Sequence, residues 1–319
     1  MKLYFKILSI ALAIGFMGSC KPDTDNLLGE NADSYSGIYM PQAVNKPATY
    51  SFNISSTPET IVYGASFGGP ISPSGDINVQ FQPDLALVNT YNAANFTQYP
   101  VMPEGSYKLE QTSAIITSGK TGTAPLKLSI YTDKLDGVGG YLLPISVKSD
   151  YNVKEALRTT YFLVSAQYTS NPFPNFDRSA WQVVAFSSDE NENASGGRIQ
   201  HAFDDNVSTF WSTAWRSTKP GPPHFVTVDM GTAKKVHGFK IAGRLDNGQP
   251  RTTGNPRDIV VQTGNDGVNW SYSQAFSLQN LAESTIYLDY AQTARYFKIT
   301  INASQSDNYL THIAELNAF

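Results

Sequence analysis

One short stretch of the chain concentrates side chains that carry oxygen. The run from Asp204 to Thr209 places carboxylate, amide and hydroxyl groups within a single tight loop. Oxygen donors of these kinds are the ligands that hard cations such as calcium take from proteins. The same residue types also form ordinary Asx turns, in which a side-chain oxygen accepts a backbone N–H and no metal takes part. The pattern therefore predicts either a cation site or a metal-free turn.

The groupings that support catalysis are not found in the sequence. The acids of the first half (Asp76, Asp84, Glu104 and Glu110) are scattered singly, which is typical of solvated turns and strand faces. We find neither a nucleophile beside a base nor a pair of carboxylates spaced for glycoside hydrolysis. The chain has a single cysteine, Cys20, so no second thiol is available for a disulfide or a thiolate metal site. We therefore predict that the protein is not an enzyme.

The position of Cys20 indicates export. Residues 1–19 begin with lysines, continue through the apolar run Ile7–Met17 and end in the small pair Gly18-Ser19. This is the pattern of a secretory signal peptide, and the apolar run is shorter than the roughly 20 residues that a membrane-spanning helix needs. Gly18-Ser19-Cys20 also resembles a bacterial lipobox, which implies cleavage before Cys20 and lipidation of that residue. The alternative is a plain secretory signal with an incidental cysteine.

Residues 21–26 are polar and lack periodicity, and we predict that residues 20–34 form a tether. The acidic run after Cys20 resembles the surface-export signal of glycan-foraging Gram-negative lipoproteins, and the alternative is an ordinary solvated linker. The resemblance implies an outer-membrane location facing the cell exterior, with the N-terminal lipid as the sole membrane attachment. The net charge of −4 argues against nucleic acid as a partner and against a polybasic membrane-binding surface.

The composition favours a folded, strand-rich chain. Hydrophobic residues make up 41% and charged residues 16%, and the chain has 18 Tyr and 17 Phe. Apolar and polar residues alternate along Ile77–Gln82 and Leu126–Tyr131, as in half-buried strands. Helical spacing over Asp84–Tyr91 predicts one short helix. We predict an all-β protein whose N-terminal domain, residues 35–168, is a β-sandwich.

Residues 169–176 are predicted to be a linker, since Pro172 and Pro174 stiffen the chain and do not fit a central strand. The domain before the linker resembles a functionally undefined N-terminal domain of glycan-utilisation surface lipoproteins. This resemblance implies an immunoglobulin-like sandwich that serves as a spacer. The motifs that carry it are Ile77-Asn78-Val79-Gln80-Phe81, Asn89-Thr90-Tyr91-Asn92, Pro103-Glu104-Gly105-Ser106-Tyr107 and Tyr141-Leu142-Leu143-Pro144-Ile145.

The C-terminal segment, residues 177–319, contains five motifs in a diagnostic order. They are Ala202–Trp211, Pro223–Gly231, Thr263–Trp270, Ala294–Ile299 and Ile313-Ala314-Glu315-Leu316. In this order they resemble a discoidin, or coagulation factor 5/8 type C, domain, and within that superfamily the carbohydrate-binding modules of family 32. The resemblance implies a discoidin-type β jelly roll of eight strands. Trp211 is predicted to be a core residue rather than a ligand contact.

The discoidin resemblance also implies a structural calcium ion. It assigns as ligands the side chains of Asp204 and Glu315, the residues Asn206 and Thr209, and the carbonyls of His201 and Ala314. Glu315 reaches the loop only if the two ends of the domain meet. The family commonly has glycine at the position of Asp205, and an aspartate there has to adopt a left-handed backbone.

The same resemblance places a sugar site on loops at one end of the sandwich. Arg244 and Asn247 fall at the positions of hydroxyl-binding residues, and Trp215 and Tyr309 lie in loops that carry stacking aromatics. Ser212 stands directly after Trp211, where the family has its site histidine. Trp215 and Tyr309 are equally consistent with packing inside their loops, and Arg244 with a structural ion pair.

These features predict a cell-surface glycan-binding lipoprotein that captures carbohydrate for a polysaccharide-utilisation system. A glycan is the expected ligand, and outer-membrane glycan-uptake components are the expected protein partners. The alternative is a surface adhesion or structural lipoprotein whose discoidin domain binds protein, because discoidin domains serve both uses.

Overall fold

The computed structural model describes residues 35–44, 46–191, 196–307 and 309–319. The predicted signal peptide, the lipidation site Cys20 and the tether lie outside these residues. In the described part of the chain, no helix is long and apolar enough to cross a membrane. The N-terminal domain is built from β1 Gly37–Tyr39, β2 Ala48–Asn53, β3 Glu59–Tyr63, β4 Ser66–Gly68, β5 Ile77–Pro83, α1 Leu87–Asn95, β6 Tyr107–Leu109, β7 Ser113–Ile116, β8 Leu126–Ile130, β9 Tyr141–Ser149 and β10 Thr159–Gln167.

Two main sheets of the N-terminal domain enclose its core. One sheet has the strand order β2-β10-β9-β5-β7, and the other has the order β3-β8-β6. The alternation predicted for β5 is confirmed, because Ile77, Val79 and Phe81 are buried while the residues between them are exposed. The inward-facing residues of both sheets form one hydrophobic cluster, which makes this domain a β-sandwich.

The α-helix α1 begins later than the sequence predicts. It runs from Leu87 to Asn95 and buries Val88. The first residues of the predicted helix instead form a tight turn. In this turn Leu87 N–H donates to the carbonyl of Asp84 at 3.0 Å. The described part of the chain is therefore mostly β, with the short helix α1, as expected.

The C-terminal domain is also a β structure. Its strands are β11 Gln182–Phe186, β12 Gly196–Gly197, β13 Phe210–Ser212, β14 His224–Ala242, β15 Leu245–Asp246, β16 Gln249–Pro250, β17 Pro256–Gly264, β18 Tyr272–Ser277, β19 Glu283–Ser304, β20 His312–Ile313 and β21 Glu315–Ala318. A six-stranded sheet has the order β11-β14-β19-β17-β18, with β21 on β14, and a small sheet has the order β12-β13-β20. Trp211, Phe239 and Phe297 are fully buried in the core, which confirms that Trp211 is a core residue.

The predicted linker packs against the C-terminal domain. Phe173 stacks on His237 with ring centroids 3.9 Å apart, and Phe176 N–H donates to the carbonyl of Ala318 at 2.8 Å. The segment is therefore a packed connection, because its aromatic residues bury apolar area against the domain that follows.

The two domains also contact each other directly through residues 136–140 and 288–291. Gly139 N–H donates to the carbonyl of Asp289 at 2.7 Å, and Ala291 N–H donates to the carbonyl of Asp136 at 3.0 Å. The hydroxyl of Tyr290 donates to the carbonyl of Gly140 at 2.7 Å. The Tyr290 ring also packs against the core of the N-terminal domain. The N-terminal domain thus supports the C-terminal domain through specific backbone pairing as well as through the covalent connection.

Candidate functional site

The loop from Asp204 to Thr209 closes around the carboxylate of Asp204. An Asp204 oxygen, Oδ1, accepts the backbone N–H of Asn206 at 3.1 Å and the hydroxyl of Thr209 at 2.9 Å. The second oxygen, Oδ2, lies 3.0 Å from Nδ1 of His201. Burial opposes ionisation here, but the hydrogen bonds from His201, Thr209 and Asn206 outweigh it and lower the pKa of Asp204.

The C-terminal end of the domain meets this loop, as the predicted ligand set requires. Glu315 Oε1 accepts the backbone N–H of Asn206 at 2.9 Å. Glu315 is buried, and burial raises the pKa of its carboxyl. Asp204, Asn206, Thr209 and Glu315 are therefore brought into one cluster.

A buried arginine that the sequence analysis missed, Arg178, also belongs to this cluster. Its Nη1 donates to Glu315 Oε2 at 2.6 Å and to the carbonyl of Leu316 at 3.1 Å. Its Nη2 donates to the carboxylate of Asp205. Asp205 has φ 61°, a left-handed backbone that aspartate adopts at some cost. The ion pair with Arg178 gives a reason for aspartate, rather than glycine, at this position.

The donor chemistry of the loop fits a hard cation. Asp204, Asp205 and Glu315 contribute three carboxylates against the single guanidinium of Arg178, so the carboxylates outnumber the guanidinium by two. Among the described residues, no three His, Cys, Asp or Glu side chains are grouped as a metal site. A cation would therefore also need hydroxyl, amide or carbonyl oxygens, which calcium accepts readily. Calcium binding stays a prediction.

At the other predicted site, Arg244 lies two residues after the end of β14 and lines a cavity of about 440 Å³ with Phe210, Leu245 and Gly248. Its guanidinium carbon lies 4.0 Å from the centre of the Phe210 ring, the geometry of a cation–π contact. Its backbone N–H donates to Oδ1 of Asn255 at 2.8 Å. Arg244 is thus held in place from both its backbone and its side chain.

Asn247 lies in the tight turn between β15 and β16. It has φ 52° and is followed by Gly248 with φ 77°, the positive pair that a two-residue hairpin turn requires. Asn247 is exposed at the tip of the hairpin, next to the cavity lined by Arg244.

Ser212 is fully buried, and its hydroxyl donates to the carbonyl of Thr213 at 3.1 Å. The strand register pairs Ser212 with His312 of β20. Directly opposed residues of an antiparallel ladder point to the same face of the sheet. An imidazole therefore stands beside the position where the family has its histidine, although it belongs to a different strand.

Trp215 lies in the loop after β13, and Tyr309 lies in the loop before β20. Because these two strands are antiparallel, both loops adjoin the same end of the pair. Those loops are joined where Thr213 N–H donates to the carbonyl of Thr311 at 3.1 Å. Trp215 N–H donates to Glu190 Oε2 at 2.9 Å, which fixes its backbone. Both aromatic rings are partly exposed, and each has a cation over it: Arg216 at 5.1 Å from Trp215 and Lys219 at 5.2 Å from Tyr309.

The hairpin that carries Arg244 joins the same end of the domain. Gly254 N–H donates to the carbonyl of Gln305 at 2.8 Å, and its own carbonyl accepts the N–H of His312 at 2.7 Å. Three loops therefore meet at one end of the sandwich, and they carry Arg244, Asn247, Trp215 and Tyr309.

Comparison with known proteins identifies the family of the C-terminal domain. Residues 182–316 match the model of the F5/8 type C domain family. The C-terminal domain is an F5/8 type C domain. A second model, described as an N-terminal domain, matches residues 32–154.

Individual relatives are more distant. The chain is 25% identical over 170 residues to a sialidase of Micromonospora viridifaciens, a match that covers 52% of this chain and 25% of the sialidase. It thus spans about a quarter of that relative's length. A two-domain Bacteroides fragilis protein of unknown function is 13% identical, with 94% and 99% of the two chains covered and a TM-score of 0.35. The family 32 module of Clostridium perfringens NanJ, solved with galactose, is 24% identical, with 45% and 96% covered and a TM-score of 0.37.

The F5/8 type C domain contains two further residues that the sequence analysis missed, Arg251 and His312. His312 is buried, and among the described residues neither of its ring nitrogens has a hydrogen-bond partner. Burial first, and then the nearby Arg244 and Arg251, lower the pKa of His312 to about 3, so the ring is neutral at neutral pH. Arg251 follows the short strand β16, and no local pattern marks it as a site residue.

Proposed function

We propose that the protein is a cell-surface glycan-binding lipoprotein that captures carbohydrate for a polysaccharide-utilisation system. Its F5/8 type C domain suggests carbohydrate binding. The observation that carries the proposal is the meeting of three loops that place Arg244 on a cavity, with Trp215 and Tyr309 on the adjoining loops.

The chemistry of these loops suits a sugar. The C–H faces of pyranose rings pack on aromatic rings. Their hydroxyls donate hydrogen bonds to polar side chains and accept hydrogen bonds from them. Partly exposed Trp215 and Tyr309 supply the aromatic faces, while Arg244 and Asn247 supply hydrogen-bonding groups. Ser212 is a weaker candidate, because its hydroxyl is buried and already donates to Thr213.

Calcium is proposed as a structural ion at the loop Asp204–Thr209. Asp204 and Glu315 would hold it through carboxylates, with Asn206, Thr209 and the carbonyls of His201 and Ala314 completing the oxygen set. When bound, the ion would balance the carboxylates that remain after Arg178 is counted, and it would fix the loop.

Calcium is therefore expected to stabilise the F5/8 type C domain. At a free concentration 100 times the dissociation constant, binding to the native state adds about 2.7 kcal/mol to the free energy of unfolding. Thermal unfolding of the full chain in EDTA and in calcium measures this difference. Asp204→Ala should remove the calcium response, and an equal calcium response in that variant would contradict the assignment.

The location rests on the N-terminal sequence. A lipid on Cys20 would anchor the chain to the outer membrane, and the N-terminal domain would hold the F5/8 type C domain away from the lipid surface. Glycan-uptake components of the same membrane are the proposed partners. Neither of the two matched models is a catalytic domain, and we propose that the chain binds carbohydrate without converting it.

The test is binding of the purified full chain to a glycan array, followed by affinity-gel measurement on the glycans that bind. Arg244→Ala and Trp215→Ala are each expected to weaken binding at least tenfold, because they remove a cationic donor and an aromatic face. Arg257→Ala is the matched control, since Arg257 is exposed on β17 and pairs with its neighbour Asp258 at 3.0 Å.

Absence of glycan binding by the folded, calcium-loaded chain would refute the proposal. Retention of a protein ligand at the same loops, weakened by the same substitutions, would instead support the adhesion alternative.

A further inference from the structure

Another cavity lies between the two domains, and its volume is about 380 Å³. Both domains contribute to its lining, which includes Ser51, Ser165, Gln167, Phe276 and Tyr287. None of the residues that line it also lines the cavity beside Arg244. Its volume lies within the roughly 300–1,000 Å³ that is usual for small-molecule sites, and such sites occur preferentially where domains meet. The cavity is therefore a candidate site separate from the loops described above.

The contact between the domains joins the two sides of this cavity. Val138 lines the cavity, and the next residue, Gly139, donates its N–H to the carbonyl of Asp289 at 2.7 Å. On the N-terminal side, Ser51 and Ser165 are register partners in the parallel pair β2–β10. The walls are thus ordered strands held together by backbone hydrogen bonds, so the cavity is formed before any ligand enters, as is usual for ligand sites.

The C-terminal side of the cavity is aromatic. Phe276 and Tyr287 are partly exposed there. The Tyr287 ring contacts Tyr168 with centroids 4.7 Å apart and Phe319 with centroids 5.5 Å apart, and these contacts fix its orientation. A ring held in this way offers an apolar face to a ligand at little cost in entropy, because packing has already restricted its rotation.

The N-terminal side supplies hydroxyl and amide groups. Ser51 is exposed on β2. Gln167 Nε2 donates to Asn53 Oδ1 at 3.0 Å, which orients the Gln167 amide and leaves its Oε1 as an acceptor. The hydroxyl of Ser165 donates to the carbonyl of Tyr50 at 3.4 Å, and its oxygen can still accept. The groups on this side can therefore both donate hydrogen bonds to a ligand and accept hydrogen bonds from it.

The lining of the cavity is uncharged. Among the described residues that line it, none is Asp, Glu, Lys, Arg or His. The hydroxyls of Tyr168 and Tyr287 stay protonated at neutral pH, because burial, above all, raises the pKa of Tyr168 to about 12 and also raises that of Tyr287. The nearby Asp136 is paired with Lys235 at 2.8 Å. A charged ligand would lose hydration here without gaining an opposite charge, so the cavity suits an uncharged ligand.

We propose that this cavity is a second carbohydrate site, which takes an uncharged sugar unit between the aromatic rings of one domain and the polar strands of the other. The C–H faces of a sugar pack on aromatic rings, and its hydroxyls donate and accept hydrogen bonds, so it matches both sides. The proposal rests on the proposed function for its ligand class and adds a site outside the loops that carry that function. Ser51 and Phe276 are then binding residues on opposite sides of the cavity.

The experiment measures the full chain on affinity gels that contain neutral polysaccharides of glucose, galactose, mannose or xylose. The loop site is first disabled by combining Arg244→Ala with Trp215→Ala. At least one gel should still retard this double variant. Adding Ser51→Trp, which fills the cavity from an exposed strand position, should weaken the remaining binding at least tenfold. Adding Phe276→Ala instead, which removes an aromatic face, should have an effect of the same size.

Ser113→Trp is the matched control, because Ser113 is exposed on β7, the opposite edge strand of the same sheet, and it should keep the remaining binding. Thermal unfolding reports whether each variant keeps its fold. If the loop-disabled chain binds no gel that the native chain binds, or if the folded cavity variants keep its binding, the inference fails while the proposed function stands. Binding that only the cavity variants abolish would support the inference and refute the loop site. If the native chain binds no glycan, both fail.

Discussion

Replacing Arg178 by methionine is expected to lower the free energy of unfolding of the F5/8 type C domain by about 3–5 kcal/mol. The side chains of Arg178 and Glu315 are 8% and 7% exposed, and their ion pair spans 2.6 Å. Methionine keeps much of the aliphatic volume but leaves Glu315 as a buried charge without its cation. Removing one partner of a buried pair costs far more than breaking a surface ion pair, which is worth about 0–1 kcal/mol.

Denaturant unfolding monitored by tryptophan fluorescence measures this change. All four tryptophans (Trp181, Trp211, Trp215 and Trp270) lie in the C-terminal domain, so the signal reports on that domain. Both proteins are measured in EDTA, which chelates calcium, so calcium binding does not contribute to the difference in stability. The control is Arg257→Met, which removes an arginine that is 48% exposed and should change stability by less than about 1 kcal/mol.

A double variant tests the cause. Adding Glu315→Gln to Arg178→Met removes the unpaired buried charge, so it should recover a large part of the loss. Neighbouring residues that interact directly show this kind of non-additivity. If the single variant costs less than about 1 kcal/mol, or if the double variant recovers nothing, the cluster is not held by the ion pair.

The fold was largely predictable because it depends on local patterns. Alternation along Ile77–Gln82 identifies β5, since a strand with one buried face repeats every two residues. The start of α1 was less predictable, because helix boundaries depend on turn contacts such as that between Leu87 and Asp84. The packed linker was also missed. Its prolines indicate stiffness, but nothing near Phe173 in sequence shows that the ring stacks on His237.

The candidate site was predictable only where the family motifs reach. The family resemblance directs attention to Asp204, Glu315 and Arg244, and the first two of these do meet in the structure at one loop. Arg178 and Arg251 lie outside the motifs, and each acquires its role through a partner that the fold brings close. His312 was missed for the same reason. Its position opposite Ser212 follows from the strand register, which local sequence patterns do not show.

The second large effect concerns the contact between the domains. Gly137 has φ 130°, a conformation that residues with a Cβ rarely adopt, and a Cβ there would collide with the carbonyl oxygen of Asp289. Gly137→Ala is therefore expected to separate residues 136–140 from 288–291. The hydrogen bonds that span the contact (Val138–Leu288, Gly139–Asp289, Ala291–Asp136 and Tyr290–Gly140) would be lost. At about 1 kcal/mol each, their loss removes about 4 kcal/mol of coupling.

The matched control is Gly105→Ala. Gly105 also has a positive φ, 80°, but a Cβ there meets nothing within 4 Å. Both substitutions introduce backbone strain, but only Gly137→Ala also introduces a collision at the domain contact. Calorimetry and small-angle scattering of the full chain should show separate unfolding transitions and a larger radius of gyration for Gly137→Ala alone. If the two variants behave alike, the contact does not couple the domains. If they differ, the loops proposed to bind glycan are carried by a rigid two-domain unit, because the N-terminal domain then fixes the orientation of the F5/8 type C domain.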